Sequence, residues 1–261
     1  MKALVTGTDG FIGSNFLKLS KDAFYTINHW DVDLANIPWD KVNHVYHFGA
    51  ISSTTETNVD LLYRANIKFT LDMFDYCKQY GIGITYASSA SVYGNTAKTH
   101  EINPLNHYAL SKATVDYKVK ELIDGGMNIV GLRFYNVYGF GEETKGNQAS
   151  PIHQFTKQAK ETGLIKLFEG STKYARDFVW VDDVIECVKT QKSPGIYDVG
   201  TSKPITFFNV AEMVAKKYGA DIQVVPFPEH LKGKYQFYTC ALRDFDKEFV
   251  SVRDYLFPIQ L

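Results

Sequence analysis

The sequence has no closely spaced cysteine pair, no excess of either charge and no long apolar run. Its three cysteines, Cys77, Cys187 and Cys240, are odd in number and far apart. That spacing excludes a disulfide frame and a CxxC motif, and it suits buried thiols in a reducing compartment. Lys and Arg total 28 against 29 Asp and Glu. So even a balance gives no general attraction to nucleic acid or to an anionic membrane surface. An anionic ligand must therefore be met by local groups. The opening MKALVTGTDG carries only a short apolar run before its glycines, unlike a signal peptide. No apolar stretch reaches the roughly 20 residues of a membrane span. The expectation is a cytoplasmic protein with neither a nucleic-acid nor a membrane partner.

Metal and triad chemistry are equally short of candidates. His44 and His47 fall on opposite faces of a strand-like run, and no carboxylate or cysteine is spaced to complete a site with either. No serine stands in a nucleophile elbow. No metal is expected.

What is present is alternation. KALVT, AFYTIN, HVYHFG, GITYAS and NIVGLRF read as strands, while SNFLKLSKD, residues 58 to 80 and residues 106 to 123 have helical apolar spacing. Strand and helix in turn imply an α/β fold with a parallel, doubly wound sheet. Near Pro151 the texture changes. PIHQFTKQAKETG, VDDVIECVKTQ and FFNVAEMVAKKYG read as helices, and IKLFEG, YARDFVWV and DIQVVPF as strands. The expected division is a dinucleotide-binding domain over residues 1–150 and a smaller, mainly substrate-binding lobe over 151–261. The boundary is soft, since some later strands can rejoin the main sheet.

VTGTDGFIGSN puts Gly7, Gly10 and Gly13 directly after the first strand and at the mouth of a helix. Glycines there permit a sharp turn and close approach of the backbone to a diphosphate, whose charge the helix N-terminus favours. As the first strand-to-helix turn, the motif points to a dinucleotide. Further on, HYALSKATVDY sets Tyr108 and Lys112 four residues apart on one helix face. A phenol is a poor base at neutral pH. An ammonium group one turn away should favour the phenolate. YASSASVYG delivers Ser88 and Ser89 at the carboxyl edge of the sheet, where ligands of such folds bind.

The spacing G-x-x-G-x-x-G after TG, with this serine and Y-x-x-x-K, resembles the short-chain dehydrogenase/reductase superfamily. The likeness is to its extended branch, the NAD-dependent epimerase/dehydratase family, which acts on nucleotide sugars. The resemblance implies a Rossmann-type sheet and one tightly held NAD or NADP per chain. It places Phe11 and Ile12 beside the diphosphate and the Asp33–Leu34 pair of DVDLAN at the adenine. Gly49, Ala50, Ile51 and Ser52 of HFGAIS would run along the cofactor, with Asn66 supporting that region and Val137 against it. Tyr108, Lys112 and Lys145 would also touch it. Asp31 is either a ribose acceptor or a solvated acid, so NAD against NADP stays open. In the family's pattern Ser89 hydrogen-bonds the substrate hydroxyl beside Tyr108. Dehydratases carry an Asp-Glu pair where this chain has Ala90 and Ser91, so dehydration is not expected.

Beyond RFYNVYG, the runs KGNQAS, KLFEGS, RDFVWVDDV and PFPEHLKGKYQ resemble the ADP-glyceromanno-heptose 6-epimerases. That resemblance implies Asn136, Asn147, Phe168, Glu169, Gly170, Ser171, Arg176 and Tyr235 at a nucleotide-sugar substrate. Arg176 would offer a forked donor to the diphosphate. The residues alone give Arg176 a second reading as an ion pair with Asp177, and give Phe168 and Tyr235 one as core. A family histidine after AS is here Gln154, with His153 one position earlier.

GFGEETKGNQAS then poses a question, because a polar, glycine-studded loop has no structural need for Lys145. The lysine can be a solvated charge, a phosphate contact or a proton-transfer group. Inverting C6 of a heptose means removing a hydride, turning the ketone about C5–C6 and returning the hydride to the other face. The hydroxyl oxygen then occupies two positions, and by resemblance Tyr108 serves one and Lys145 the other. Rival functions are a UDP-sugar 4-epimerase, a 4-keto reductase and a dinucleotide sensor without turnover. The set Ser89, Tyr108 and Lys112 argues against the sensor. Family members assemble as homo-oligomers, and the same is expected here.

Overall fold

The computed structural model describes residues 1–96, 100–229 and 236–258. The chain begins with β1 (Lys2–Thr6), α1 (Phe11–Leu19), β2 (Phe24–Ile27) and β3 (Val42–His47). A long helical run follows as α2 (Val59–Leu62), a π-helical stretch at Tyr63–Lys68 and α3 (Phe69–Tyr80). Next come β4 (Gly83–Ser89), α4 (His107–Asp124), β5 (Ile129–Phe134) and β6 (Asn136–Tyr138). The later elements are α5 (Pro151–Thr162), β7 (Leu164–Phe168), β8 (Ala175–Arg176), β9 (Phe178–Trp180) and α6 (Val181–Lys189). They close with β10 (Gly195–Val199), β11 (Ile205–Thr206), α7 (Phe207–Tyr218), β12 (Asp221–Val225) and α8 (Val252–Leu256).

Six strands form one parallel sheet in the order β10-β5-β4-β3-β1-β2. Alternate residues of a strand face opposite sides, and both sides here are covered. Leu4 packs with Met73, Phe74, Val115 and Val119 of α3 and α4, whereas Val5 packs with Phe11, Phe16 and Val184 of α1 and α6. The result is the Rossmann-type α/β sheet expected from the sequence. Strand order reverses between β1 and β3, and a crevice opens at the carboxyl ends on either side of such a point. Among the described residues no helix is long and apolar enough to cross a membrane.

A third apolar cluster lies beyond the sheet. It joins Tyr138 to Ile152 and Phe155 of α5, Ile165 and Leu167 of β7, and Val210 and Val214 of α7. β7 pairs in parallel with β12 in this part of the molecule.

Two readings of the sequence differ from the fold. YARDFVWV forms not one strand but β8, paired antiparallel with β11, and β9, paired in parallel with β6, while Val181 already opens α6. The cause is Asp177 between the two. Its buried carboxylate accepts from the N–H groups of Thr201, Ser202 and Ala241, which pins the chain where one strand hands over to the next. The run GIYDV is not among the strands expected from the sequence, yet as β10 it pairs with β5 along five residues. Thus the main sheet takes one strand from beyond residue 150.

His44 and His47 are internal hydrogen-bonding groups. His44 meets Thr85 at 3.0 Å, and His47 bridges Thr6 at 2.7 Å and Thr70 at 2.8 Å. Burial holds His44 down to about 4, and burial followed by nearby Lys112 holds His47 down to about 3, so both rings are neutral near pH 7.

Candidate active site

The carboxyl ends of β1, β3, β4 and β5 open on one cleft of about 700 Å³. The glycine turn forms its floor. Gly7 has φ +70°, and a Cβ there would stand 2.6 Å from the Gly49 Cα; one on Gly13 would collide with the Gly7 carbonyl. Only glycine permits this packing of the two loops. Gly10 caps α1 with no side chain, and no acid stands in the first turn. The helix therefore presents unclaimed N–H groups and its positive end to the cleft.

Gly7, Gly10, Phe11, Ile12, Gly13, Ala50, Ser52, Val137, Tyr108, Lys112 and Lys145 all line this cleft. Gly49 lies behind the wall against Gly7, its N–H donating to Thr6 Oγ1 at 3.0 Å. Ile51 is fixed by Asn66, whose side chain faces the protein and not the cleft. The Asn66 amide accepts from the Ile51 N–H and donates to the Ile51 carbonyl and to Ser111 Oγ. Ser88 Oγ is buried at the cleft without a hydrogen-bond partner, an arrangement that costs free energy unless a bound group supplies one. The free helix end, the side-chain-free turn and this hydroxyl together fit a dinucleotide.

Asp33 and Leu34 are not brought to the cleft. Asp33 accepts from the Ala35 N–H at 2.9 Å and caps a short 3₁₀ turn. Leu34 is buried in the core with Trp39, whose indole N–H donates to the Leu34 carbonyl. The side chains of the pair are engaged in local structure.

Tyr108 stands in the first turn of α4, which Asn106 starts by accepting from the Ala109 N–H at 2.8 Å. The tyrosine is 8% exposed and is hydrogen-bonded to Ser89. The expected lowering by Lys112 is not found. Burial raises the Tyr108 pKa, the Ser89 hydrogen bond opposes this, and Asp116 adds to the rise. Lys112 is itself buried and donates to the Ala87 carbonyl at 2.8 Å. Burial brings it down to about 8, with Asp116 opposing. Ser91 donates to Ser89 Oγ from its hydroxyl at 2.9 Å and from its N–H at 3.2 Å.

Lys145 is not in a plain loop. Glu142–Gln148 forms a 3₁₀ turn kinked at Gly146, and the lysine lies 4.8 Å above the Phe11 ring of the glycine turn. Its side chain is 24% exposed and its ammonium is 3.8 Å from Glu142. Burial lowers its pKa and Glu142 raises it.

Asn136, Asn147 and Arg176 line the same cleft. Arg176 is 4% exposed, donates to the carbonyls of Ala175 and Gln236, and lies over the Phe207 ring. Asp177 turns its oxygens toward Thr201, Ser202 and Ala241 instead. Phe168 and Ser171 line an adjoining cavity of about 310 Å³, which shares Asn147, Ala149, Pro151 and Phe207 with the main cleft. Gln154 belongs to that cavity as well, whereas Glu169 and Gly170 line neither. Tyr235 lies outside the described residues.

Three groups at the site were missed from the sequence. Ser91 stands out in the sequence only as the absence of an acid. Gln236 donates to the carbonyls of Gly94 and Ala90 at the mouth of the cleft. The third is Glu142, and the signal that could have found it is its place three residues before Lys145.

Residues 3–200 match the profile described as the NAD dependent epimerase/dehydratase family. A protein of Alkalilimnicola ehrlichii named ADP-L-glycero-D-manno-heptose-6-epimerase is 40% identical over 85% of this chain and 72% of its own length. A protein of the same name from Brachyspira hyodysenteriae is 33% identical over 95% of this chain and 93% of its own. The crystal structure of the Helicobacter pylori ADP-L-glycero-D-manno-heptose-6-epimerase superposes with TM-score 0.70 at 27% identity, covering 91% of this chain and 92% of that one. With its glycine turn, its serine and its Y-x-x-x-K helix gathered on one cleft, the chain belongs to the NAD dependent epimerase/dehydratase family.

Proposed function

We propose that this protein is an isomerase that inverts C6 of ADP-glycero-manno-heptose, with no net redox change. The observation that carries this reading is that Tyr108, bonded to Ser89, and Lys145, held over Phe11, come from two different elements into one cavity. The names of the two curated relatives support the choice of substrate.

A nicotinamide dinucleotide would be held at Gly10–Gly13, along Ala50–Ser52 and by Lys112 and Ser88. When bound, its ring supplies a hydride acceptor and donor and, oxidised, a positive charge that favours the Tyr108 phenolate. Burial alone opposes that phenolate, so Ser89 and the added charge are both needed. Tyr108 takes the proton of the C6 hydroxyl in one epimer, with Ser89 holding the oxygen. After the C6 carbonyl turns about C5–C6, Lys145 protonates the oxygen in its second position. Reverse turnover or exchange with solvent resets the pair. Arg176, Asn136 and Asn147 would hold the diphosphate and sugar, and Phe168 and Ser171 the nucleoside end. In this reading the part of the chain from residue 151 onward is mainly the substrate lobe.

The protein is further read as a cytoplasmic homo-oligomer. Leu110 and Tyr117 on one face of α4, and Val59 and Tyr63 at the start of the helical run, are each more than half exposed. An apolar patch of this kind suits a contact between copies.

The test is incubation with ADP-D-glycero-D-manno-heptose and separation of the two C6 epimers by chromatography or NMR. Formation of the L-glycero epimer without net NAD(P)H consumption is expected. Stoichiometric NADPH oxidation would identify a reductase instead, and no turnover of the heptose alongside turnover of a UDP-hexose would identify a 4-epimerase.

A further inference from the structure

Glu142 is 1% exposed, in a turn that is otherwise polar and solvated. A buried carboxylate is costly unless its charge is met. One oxygen accepts from the Gly139 N–H and from Ser150 Oγ, both at 2.9 Å; the other accepts from the Ser150 N–H and faces the Lys145 ammonium at 3.8 Å. Glu142 thus ties the two ends of the segment 139–150 together and presents its remaining charge to one side chain. Asn15 of α1 donates to the Phe140 carbonyl at 3.1 Å, which locks the same segment to the helix that follows the glycine turn.

We propose that Glu142 is the positioning residue for Lys145, anchoring the turn and holding the lysine in the cleft as a paired cation. The inference rests on the reading of Lys145 as a proton-transfer group. To protonate the sugar oxygen, the lysine must carry its proton despite being mostly buried. Other charged or titratable groups on the cleft wall are Tyr108 and Lys112 of α4, Tyr135 just after β5 and Arg176 of β8, while α1 offers the Phe11 ring and Asn15. Tyr138 and Tyr255 also feel Glu142, and burial and nearby carboxylates keep them as neutral phenols. Glu142 is the carboxylate paired with Lys145 among the described residues.

The experiment reads Lys145 directly, without substrate or dinucleotide. Lysines are reductively methylated with ¹³C-formaldehyde, the Lys145 resonance is assigned by its loss in Lys145→Arg, and its titration is followed by NMR. Glu142→Gln is expected to move the Lys145 midpoint to lower pH and to cut epimerisation at neutral pH by at least about tenfold. Ser150→Ala removes an anchoring donor but keeps the carboxylate, and its midpoint should stay near the parental one. Should Glu142→Gln not fold, Glu142→Asp, which withdraws the charge by one methylene, must still lower the midpoint. An unchanged midpoint in the folded Glu142 variant, or an equal shift in Ser150→Ala, overturns the proposal. Failure of the catalytic reading is distinguishable: Lys145→Met would then epimerise normally while the Glu142 effect on the titration remained.

Discussion

The Asn66 side chain grips Ile51 at both of its backbone polar groups, accepting from the N–H at 2.8 Å and donating to the carbonyl at 3.0 Å. The same amide donates to Ser111, whose hydroxyl donates to the Tyr108 carbonyl at 2.7 Å. One residue in the π-helical stretch therefore joins the loop after β3 to the first turn of α4. Such stretches are frequent at functional sites. Asn66→Ala should destabilise the fold by about 2–4 kcal/mol through lost buried hydrogen bonds and weaken dinucleotide binding. Urea unfolding and NAD fluorescence titration check both, and unchanged affinity would separate Asn66 from the site.

Tyr108→Phe and Lys145→Met each remove a proposed proton-transfer group. Each should lower epimerisation by roughly 10²- to 10⁴-fold while dinucleotide binding persists. Turnover is measured separately from each of the two epimers. A Lys145→Met enzyme working at nearly parental rate would return that lysine to a surface charge.

The neutral histidines of β3 make stability depend on pH. In the unfolded chain a histidine titrates near its ordinary value of about 6.5, whereas His44 and His47 hold theirs at about 4 and about 3. Between those values the unfolded chain binds more protons than the folded one, so stability rises with pH. The contribution is complete above about pH 6.5 and is lost as the pH falls toward 4 and then 3. Each histidine gives a slope of at most about 1.4 kcal/mol per pH unit. Urea midpoints at pH 7 and pH 5 should therefore fall together with pH, and His44→Gln should flatten the slope.

Leu110→Glu tests the exposed face of α4. Leu110 and Tyr117 are seven residues apart, on one side of the helix. If this face meets a second copy, the charge should reduce the assembly in sedimentation while leaving the helical circular dichroism unchanged. An assembly identical to that of the parental protein would remove this face from the interface.

Strong, local signals made the sheet legible. β1, β4 and β5 are apolar runs bounded by glycine or a polar turn, and the glycine motif can only sit at a strand-to-helix junction. Tyr108 and Lys112 were legible because four residues on a helix fix their relation. What was not legible depends on distant partners. Leu34 reads from the sequence as a neighbour of the adenine, whereas its burial with Trp39 shows only in the fold. The charge state of Tyr108 follows from burial, which a helix spacing does not report. The break at Asp177 comes from amides 24 to 64 residues away, and Glu142 gains its meaning only when Ser150 and Gly139 fold back on it.

The placement of β10 beside β5 has a consequence for how the chain is made. A nascent polypeptide leaves the ribosome amino end first, and β5 emerges some sixty residues before its outer neighbour. Until Val199 arrives, the flank of β5 that leads into Asn136 and Val137 has its amides and carbonyls open to any passing strand. The cofactor half of this molecule is thus finished by its other half, and a shortened transcript would yield an adhesive sheet edge rather than a smaller working enzyme.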